Sequence, residues 1–264
     1  MGGLSVDPTT FFRSDGKRVS GRAVDELRPV KIEAHVLENA PGSCYLEWGK
    51  NKIVAAVFGP RECHPRHQQR QDRAVVRATY NMNAFSVEDR KRPGLDRRSQ
   101  EISKVVSEAL AAVVLTAPFP RTAIDVYMEV LQADAGTRCA ALTAAAVAVA
   151  DAGIPMTELV AAVASGKVGG TVVLDLDKYE DNAGEADLPM GITSRTHRVV
   201  LMQMDGNFTT EQYHQALDYN FAAAGVLHEK QRDALRSRYQ TVAARQPQEG
   251  GAEAEDPGAS SEEE

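Results

Sequence analysis

The chain has 264 residues, of which 43% are hydrophobic and 25% are charged, a size and composition that suit one large globular domain or two small ones. No apolar run reaches the length of a membrane-spanning helix, and the first residues lack the basic and apolar regions of a signal peptide. The three cysteines lie in separate segments without a paired motif. We therefore expect reduced thiols and a cytoplasmic protein.

The pattern of hydrophobic residues predicts strands and helices in a mixed order. In chain order we predict strands over 30–37, 43–48, 52–58 and 73–81, a helix over 99–116, a strand over 122–131, a helix over 139–152, strands over 159–164, 172–176 and 199–204, and two helices between 209 and about 240. Thr209 and Gln212 form a capping box, and Gly225 ends the helix that they open. This order favours an α+β sandwich over a Rossmann domain, and the glycine-rich nucleotide motifs are absent from the sequence.

The net charge of −7 is unevenly distributed along the chain. Residues 241–264 contain one arginine and seven acidic residues and account for −6 of it, so that residues 1–240 are almost neutral. We predict that residues 1–20 form a partly ordered arm and that 241–264 form a disordered acidic tail. Basic residues cluster between 61 and 98. That region is able to bind a polyanion despite the acidic total, although any single arginine in it is more often part of a solvated surface.

A loop of small residues leads into a helix at 133–138, where the sequence reads Ala-Asp-Ala-Gly-Thr-Arg. The first backbone N–H groups of a helix lack partners within it and carry the positive end of its dipole, so they attract anions. Gly136 lets an anion approach the backbone, Thr137 caps the helix or donates its hydroxyl, and Arg138 adds a forked cation. The pattern predicts a phosphate-binding site, although an ordinary capped helix begins in the same way.

Carboxylates crowd residues 180–187, which read Glu-Asp-Asn-Ala-Gly-Glu-Ala-Asp. Such groups repel one another unless a cation or a proton lies between them. The residues after Asp181 favour a turn that brings Asp181 and Asp187 together. With the predicted phosphate site, this pair indicates phosphoryl-transfer chemistry, and the alternative is a solvated acidic turn.

Twelve short runs occur in a fixed order along the chain. They lie at 15–18, 26–29, 47–52, 59–62, 64–67 (His-Pro-Arg-His), 96–99 (Asp-Arg-Arg-Ser), 119–126, 131–138, 150–156, 174–176, 180–187 and 203–206 (Gln-Met-Asp-Gly). In this order and spacing they resemble the RNase PH family of phosphorolytic exoribonucleases, and more closely its catalytic member in the archaeal RNA exosome. The resemblance covers about residues 12–240.

The resemblance implies an α+β fold of the RNase PH type (ribosomal protein S5 domain 2-like), with mixed sheets and packed helices, for a catalytic domain over 21–240. It implies a ring of three copies of this chain and three of an inactive RNase PH-like partner, with RNA-binding cap proteins on top. The implied reaction is attack of inorganic phosphate on the 3′ end of single-stranded RNA. It releases nucleoside diphosphates, and its reverse adds tails.

The resemblance also assigns roles to individual residues. Gly136, Thr137 and Arg138 match the site of the attacking phosphate, and Asp181 and Asp187 match the active-site aspartates. One or both aspartates hold Mg²⁺, or Asp187 protonates the leaving 3′ oxygen, and the sequence leaves these roles open. Weaker candidates for strand-end or supporting groups are Asp175, Asp177, Glu180 and Glu185.

Four arginines match RNA-binding positions of the family. Arg97 and Arg98 suit bidentate contact with backbone phosphates, with interface salt bridges as the alternative. Arg66 matches the loop at the narrow entrance of the pore, where a ring of arginines attracts RNA without recognising its sequence, and Arg61 assists it. A mobile surface loop is the alternative there.

Two other functions remain open at this stage. One is a homohexameric RNase PH that trims transfer RNA. The runs at 64–67 and 203–206 favour the exosome type over this alternative. The other is a non-catalytic ring subunit that binds RNA or partners. Such subunits lack the complete phosphate and aspartate motifs, whereas this chain has both.

Overall fold

The computed structural model describes residues 11–94 and 96–245, the stretch 241–245 by its backbone alone. Most of the predicted tail therefore lies outside the described residues, as do residues 1–10 of the predicted arm. The first sheet contains β1 (Val30–Ala34), β2 (Gly42–Trp48), β3 (Asn51–Glu62), β4 (Val75–Met82) and β5 (Thr122–Gln132). Its strand order is β1-β2-β3-β5-β4, in which β4 and β5 are parallel and the other neighbours antiparallel.

The second sheet is antiparallel and is built from the later part of the chain. It contains β6 (Val160–Val168), β7 (Thr171–Leu174), β8 (Ala186–Thr193), β9 (Val199–Met202) and β10 (Asp205–Gly206). The order is β10-β8-β6-β7, and β9 also pairs with β8. Strand β8 therefore has β6 on one side and both β9 and β10 on the other.

Four α-helices complete the fold of the described residues, and one of them lies between the two sheets. They are α1 (Arg97–Ala111), α2 (Thr137–Asp151), α3 (Lys178–Ala183) and α4 (Thr210–Arg245). Helix α2 contacts β2 and β3 of the first sheet and β6 and β8 of the second, and almost all of its side chains are buried. Its many alanines permit this close packing on both sides. Gly42 on β2 is required there, because a Cβ at that position would collide with the α2 backbone.

Most of the predicted elements are confirmed, including the hairpin between β2 and β3, whose turn is Gly49 and Lys50. The capping box is also confirmed, since Thr209 and Gln212 exchange backbone-to-side-chain hydrogen bonds at 3.0 and 3.3 Å. The prediction of two carboxyl-terminal helices is wrong. Gly225 lies inside the continuous helix α4, where the absence of a side chain does not break the backbone hydrogen bonds.

Two elements near the acidic cluster were not predicted. Asp181 lies inside the short helix α3, which ends at Ala183 within the stretch where the sequence predicts a turn, and residues 186–193 form β8. Among the described residues, none of the helices combines the length and the apolar composition of a membrane-spanning segment.

Candidate active site

A cleft of about 560 Å³ opens where the amino-terminal ends of α1 and α2 meet α3 and β8. It brings together six of the predicted site residues, which come from four separate parts of the sequence. They are Arg98, Gly136, Thr137, Arg138, Asp181 and Asp187. Gln203, Met204 and Asp205 lie on its wall as well.

The loop that enters α2 has an unusual backbone. Ala135 and Gly136 both lie in the left-handed region, with φ angles of 57° and 67°. An alanine rarely adopts this conformation unless its surroundings hold it there. Asn51 does so from β3, because its side-chain oxygen accepts from the Asp134 N–H at 2.6 Å and its amide donates to the Ala135 carbonyl at 2.6 Å.

Asp175 is the centre of a buried network behind this loop. Its carboxylate accepts hydrogen bonds from the Arg28 backbone N–H at 2.7 Å, from the Arg28 guanidinium at 2.7 Å and from the Trp48 indole at 2.8 Å. Arg28 in turn donates to the Asp134 carbonyl oxygen. Burial acts to lower the pKa of Arg28, but the pKa is raised overall, chiefly by the charge of Asp175. The network therefore fixes the loop before α2 through an ion pair shielded from water.

The first turn of α2 presents donors to the cleft. Gly136 is the N-cap, and it supplies no side-chain acceptor for the N–H groups that follow. Thr137 is buried, and its hydroxyl accepts a hydrogen bond from the Tyr80 hydroxyl at 2.7 Å. That bond leaves the Thr137 proton free to point to a ligand. The Nε atom of Arg138 is buried and has no hydrogen-bond partner among the described residues. The site is thus rich in donors that suit a phosphate.

Helix α3 holds Asp181 at the opposite wall. Asp177 and Glu180 form a capping box at its start, and Glu180 is anchored by an ion pair with Arg18, which is fully buried. A six-residue helix is too short to be stable alone. These contacts stabilise the helix, which places Asp181 on the wall of the cleft.

The two aspartates face the same space from α3 and β8. Burial in the cleft raises the pKa of Asp181, although the charges of Arg98, Arg28 and Arg138 oppose the effect. Burial also raises the pKa of Asp187, and the charge of Asp181 adds to the increase. Neither carboxylate forms a salt bridge with a described side chain. Such a pair favours the presence of a proton or a cation between its members.

The donor set fits a hard divalent cation. Asp181 and Asp187 offer carboxylate oxygens without ion-pair partners, and Asp205 is paired in register with Asp187 across β8 and β10. Mg²⁺ is commonly held by one or two carboxylates together with waters and substrate phosphates. Within the described ranges, no cluster of three or more histidine, cysteine or acidic side chains forms a complete protein cage for a metal. A metal here would thus need ligands from water or substrate.

The structure places the two predicted RNA-binding arginines, Arg97 and Arg98, in different surroundings. Both lie in the first turn of α1, which begins two residues earlier than predicted and is capped by the Asp96 side chain through the Ser99 N–H at 2.7 Å. Successive residues of a helix point in different directions. Arg98 accordingly lines the cleft, and Arg97 does not.

Arg61 and Arg66 lie outside the cleft, at the end of β3 and in a 3₁₀ turn at Arg66–Gln68. Arg61 pairs with Asp125 at 3.1 Å, and Arg66 approaches Glu62 at 3.7 Å with 81% of its side chain exposed. These two arginines therefore form a separate, solvent-facing group, which we call the arginine loop.

Sequence reasoning undervalued or missed several residues that support the site. Asp175 was only a weaker candidate, and its signal was an acidic residue between apolar neighbours in a strand pattern. Asn51 and Glu101 were missed, and the sequence suggested Tyr80 only for core packing or base stacking and not for its hydrogen bond to Thr137. Glu101, in the first turns of α1, contacts Arg138 and Gln203. Their contacts join residues far apart in sequence, so no local pattern announces them.

Comparisons with known proteins agree with this arrangement. Residues 26–155 match the 3′ exoribonuclease family, domain 1, and residues 158–222 match domain 2 of that family. The chain is 56% identical over 229 residues to exosome complex component Rrp41 of Thermococcus kodakarensis, a match that covers 87% of this chain and 92% of the relative. It is 56% identical over 232 residues to exosome complex component Rrp41 of Methanopyrus kandleri, with coverage of 88% and 97%.

Two solved structures share the fold at low sequence identity. Rice Rrp46 has a TM-score of 0.74 at 22% identity, over 83% of this chain and all of its own. A chain of the Archaeoglobus fulgidus exosome with RNA bound to the active site has a TM-score of 0.71 at 24% identity, over 82% of this chain and 93% of its own. Together, the matched domains, the relatives and the fold establish that this chain belongs to the RNase PH family of 3′ exoribonucleases.

Proposed function

We propose that this protein is the catalytic subunit of a cytoplasmic exosome ring and degrades RNA from its 3′ end by phosphorolysis. The observation that carries the proposal is the cleft itself, in which the start of α2, the aspartate pair and Arg98 face one another. The relatives named exosome complex component Rrp41 support the placement in an exosome.

The reaction is a transfer of the terminal nucleotide to inorganic phosphate. An oxygen of phosphate attacks the phosphorus of the last phosphodiester, and the bond from that phosphorus to the 3′ oxygen of the preceding nucleotide breaks. The products are a nucleoside diphosphate and an RNA that is one nucleotide shorter, with a proton on the new 3′ hydroxyl. Because phosphate and not water attacks, the reaction is not a hydrolysis, and the reverse direction adds tails.

The residues of α2 and α1 position the reacting groups. The first N–H groups of α2, the Thr137 hydroxyl and Arg138 hold the attacking phosphate, and Arg98 binds a backbone phosphate of the RNA end. Holding the two phosphates in line supplies most of what phosphoryl transfer needs. The buried Asp175 network contributes by preventing the loop before α2 from moving.

The aspartate pair acts on the leaving oxygen. In one version Asp187, whose pKa is raised by burial and by Asp181, donates its proton to the 3′ oxygen. In the other, Asp181 and Asp187 hold Mg²⁺, which when bound neutralises charge on the transferring phosphoryl group. Titrating Mg²⁺ and a chelator into the assay distinguishes these versions, because a proton donor alone needs no metal.

The partners follow from the same proposal. Three copies of this chain alternate with three copies of an inactive RNase PH-like subunit, and RNA-binding caps cover the ring. Arg61 and Arg66 of the arginine loop lie away from the cleft and are solvent-facing, which suits a role in guiding single-stranded RNA to the pore.

The test is an RNA decay assay with and without inorganic phosphate, on this chain alone and together with an archaeal RNase PH-like partner. We expect nucleoside diphosphates only when phosphate and the partner are both present. Activity without the partner would favour the homohexameric RNase PH alternative. Nucleoside monophosphates would mean hydrolysis and contradict the proposal, and binding of RNA without any products would leave the non-catalytic subunit.

A further inference from the structure

Glu101 joins two side chains of the cleft through a single oxygen atom. Its Oε1 accepts a hydrogen bond from the Gln203 amide at 2.9 Å and lies 3.4 Å from Nη2 of Arg138. The three residues come from α1, α2 and the segment between β9 and β10, and all three line the cleft. Glu101 therefore fixes the position of Gln203 relative to the arginine of the phosphate site.

This arrangement leaves one acceptor and one donor without partners. The Oε1 atom of Gln203 and the Nε atom of Arg138 are buried and make no hydrogen bond to the described residues. The orientation of the Gln203 amide is determined by its neighbour, because an ionised carboxylate only accepts hydrogen bonds and must face the amide nitrogen. A buried unpaired polar atom is costly, so the two atoms indicate a ligand that satisfies both.

We propose that Glu101 is a positioning residue for the attacking phosphate, and that it orients Gln203 to accept a hydrogen bond from the protonated phosphate oxygen while Arg138 Nε donates to an ionised one. The inference rests on the proposed function and assigns Gln203 to phosphate and not to RNA. Gln203 and Arg138 both contact the Oε1 atom of Glu101, and this shared contact places Gln203 beside the phosphate site. Hydrogen phosphate carries both a hydroxyl donor and charged acceptors, which matches this pair of atoms.

The first variant is Glu101→Ala, with Glu108→Ala as its matched control. Both change a glutamate on an exposed position of α1 to the same residue, and Glu108 makes no ion pair with a described side chain. Since half of the Glu101 side chain is exposed, the fold should survive the change. We expect the KM for phosphate to rise roughly tenfold, because the variant releases both Gln203 and Arg138 from their shared acceptor and each then binds phosphate less well, while the KM for RNA and kcat stay within about twofold.

A second variant, Gln203→Met, removes the amide and leaves Glu101 in contact with Arg138. We expect a smaller rise in the KM for phosphate, about threefold, because a bond between neutral partners is weaker. Because Glu101 acts partly through Gln203, the double variant should lose less free energy of phosphate binding than the two single variants lose together.

The outcomes separate the inference from the proposed function. Absence of nucleoside diphosphates with the unaltered chain in its complete assembly would contradict the proposed function. If the unaltered assembly is active, an unchanged KM for phosphate in Glu101→Ala would overturn the inference. It would also fail if that variant raised the KM for RNA instead, or if Glu108→Ala had the same effect as Glu101→Ala.

Discussion

The cleft and the arginine loop use the same kind of residue in opposite ways. Around the cleft, charged side chains are held by buried partners, as Arg28 is by Asp175, with 7% and 4% of their side chains exposed. In the arginine loop, Arg61 is held by the buried Asp125, but Arg66 is 81% exposed and lies 3.7 Å from Glu62, which is 58% exposed. An exposed pair of this kind contributes little to stability and leaves the charge available. The cleft therefore supplies fixed geometry, and the loop supplies a field that attracts polyanions.

The largest effect should come from the aspartates, and Asp187→Asn tests it. The variant keeps the shape of the side chain but removes its charge and its acidity. We expect kcat to fall about 1000-fold, within the range that a positioned acid or base contributes, without loss of folding. A single-turnover assay for nucleoside diphosphates measures it, and a rate within tenfold of the unaltered chain would contradict the assignment.

The same variant should make the protein more stable at neutral pH. Burial and the Asp181 charge raise the pKa of Asp187, so ionisation costs the folded state more than the unfolded chain. The carboxylate therefore lowers the free energy of unfolding as the pH rises through its unfolded and then its folded pKa. We expect the Tm of Asp187→Asn to exceed that of the unaltered chain at neutral pH and to equal it under acidic conditions, where both states are protonated. A lower Tm for Asp187→Asn at neutral pH would show that other groups of the folded protein compensate the Asp187 charge.

The next effect concerns the network behind the cleft. Asp175→Ala leaves the Arg28 charge and the Trp48 indole without their shared acceptor. Removing one member of a buried ion pair destabilises by about 3–5 kcal/mol, which urea unfolding measures. Asp233→Ala is the control, because this exposed residue on α4 forms an ion pair, among the described side chains, with Arg236 alone and at 3.9 Å, so that its loss should change stability by less than about 0.5 kcal/mol. Similar losses in both variants would contradict the special role of Asp175.

The elements that were predicted correctly have strong local patterns. In β3 the side chains alternate, with Ile53, Ala55 and Val57 buried, and in α2 the residues from Cys139 to Val149 are all apolar except Thr143 and all buried. Strand β8 lacks such a pattern because Pro189 and Gly191 interrupt it. The structure accommodates Pro189 at a gap between β9 and β10, where its carbonyl still accepts from the Gln203 N–H at 3.1 Å. Tertiary pairing, not local propensity, makes this segment a strand.

The sequence predicted which residues of the candidate site come together, but not the residues that support them. The helix start at Gly136 and the crowding of Asp181 and Asp187 are visible as short runs, and the cleft contains all of them. The left-handed Ala135 and the hydrogen bonds of Asn51 that hold it depend on β3, more than 80 residues earlier. Such positions become visible only when the chain is folded.

The divided arginine pair offers a smaller but sharper test of the cleft. Because Arg98 lines the cleft and Arg97 does not, Arg98→Ala should raise the KM for RNA about tenfold, as expected for the loss of a charge-assisted hydrogen bond. Arg97→Ala should change it by less than about twofold. Both substitutions remove the same side chain from the same helical turn, so each controls for the other. Equal effects would mean that the RNA end extends beyond the cleft to Arg97.

The smallest effect should come from the arginine loop, and it should depend on salt. Arg66 attracts RNA without fixing the reacting groups, so Arg66→Ala in the assembled ring should leave kcat unchanged and raise the KM for long RNA by about two- to threefold at low salt. A plot of the logarithm of apparent affinity against the logarithm of salt concentration should also be less steep. Its slope should be smaller by about 0.7 for each RNA phosphate that the variant no longer neutralises. Arg73→Ala is a suitable control, because this exposed arginine is held by Asp72 at 2.6 Å, a much closer pair than that of Arg66 with Glu62 at 3.7 Å. An equal loss for Arg66→Ala at low and high salt would indicate a fixed contact of the kind found in the cleft, and would erase the distinction between the two regions.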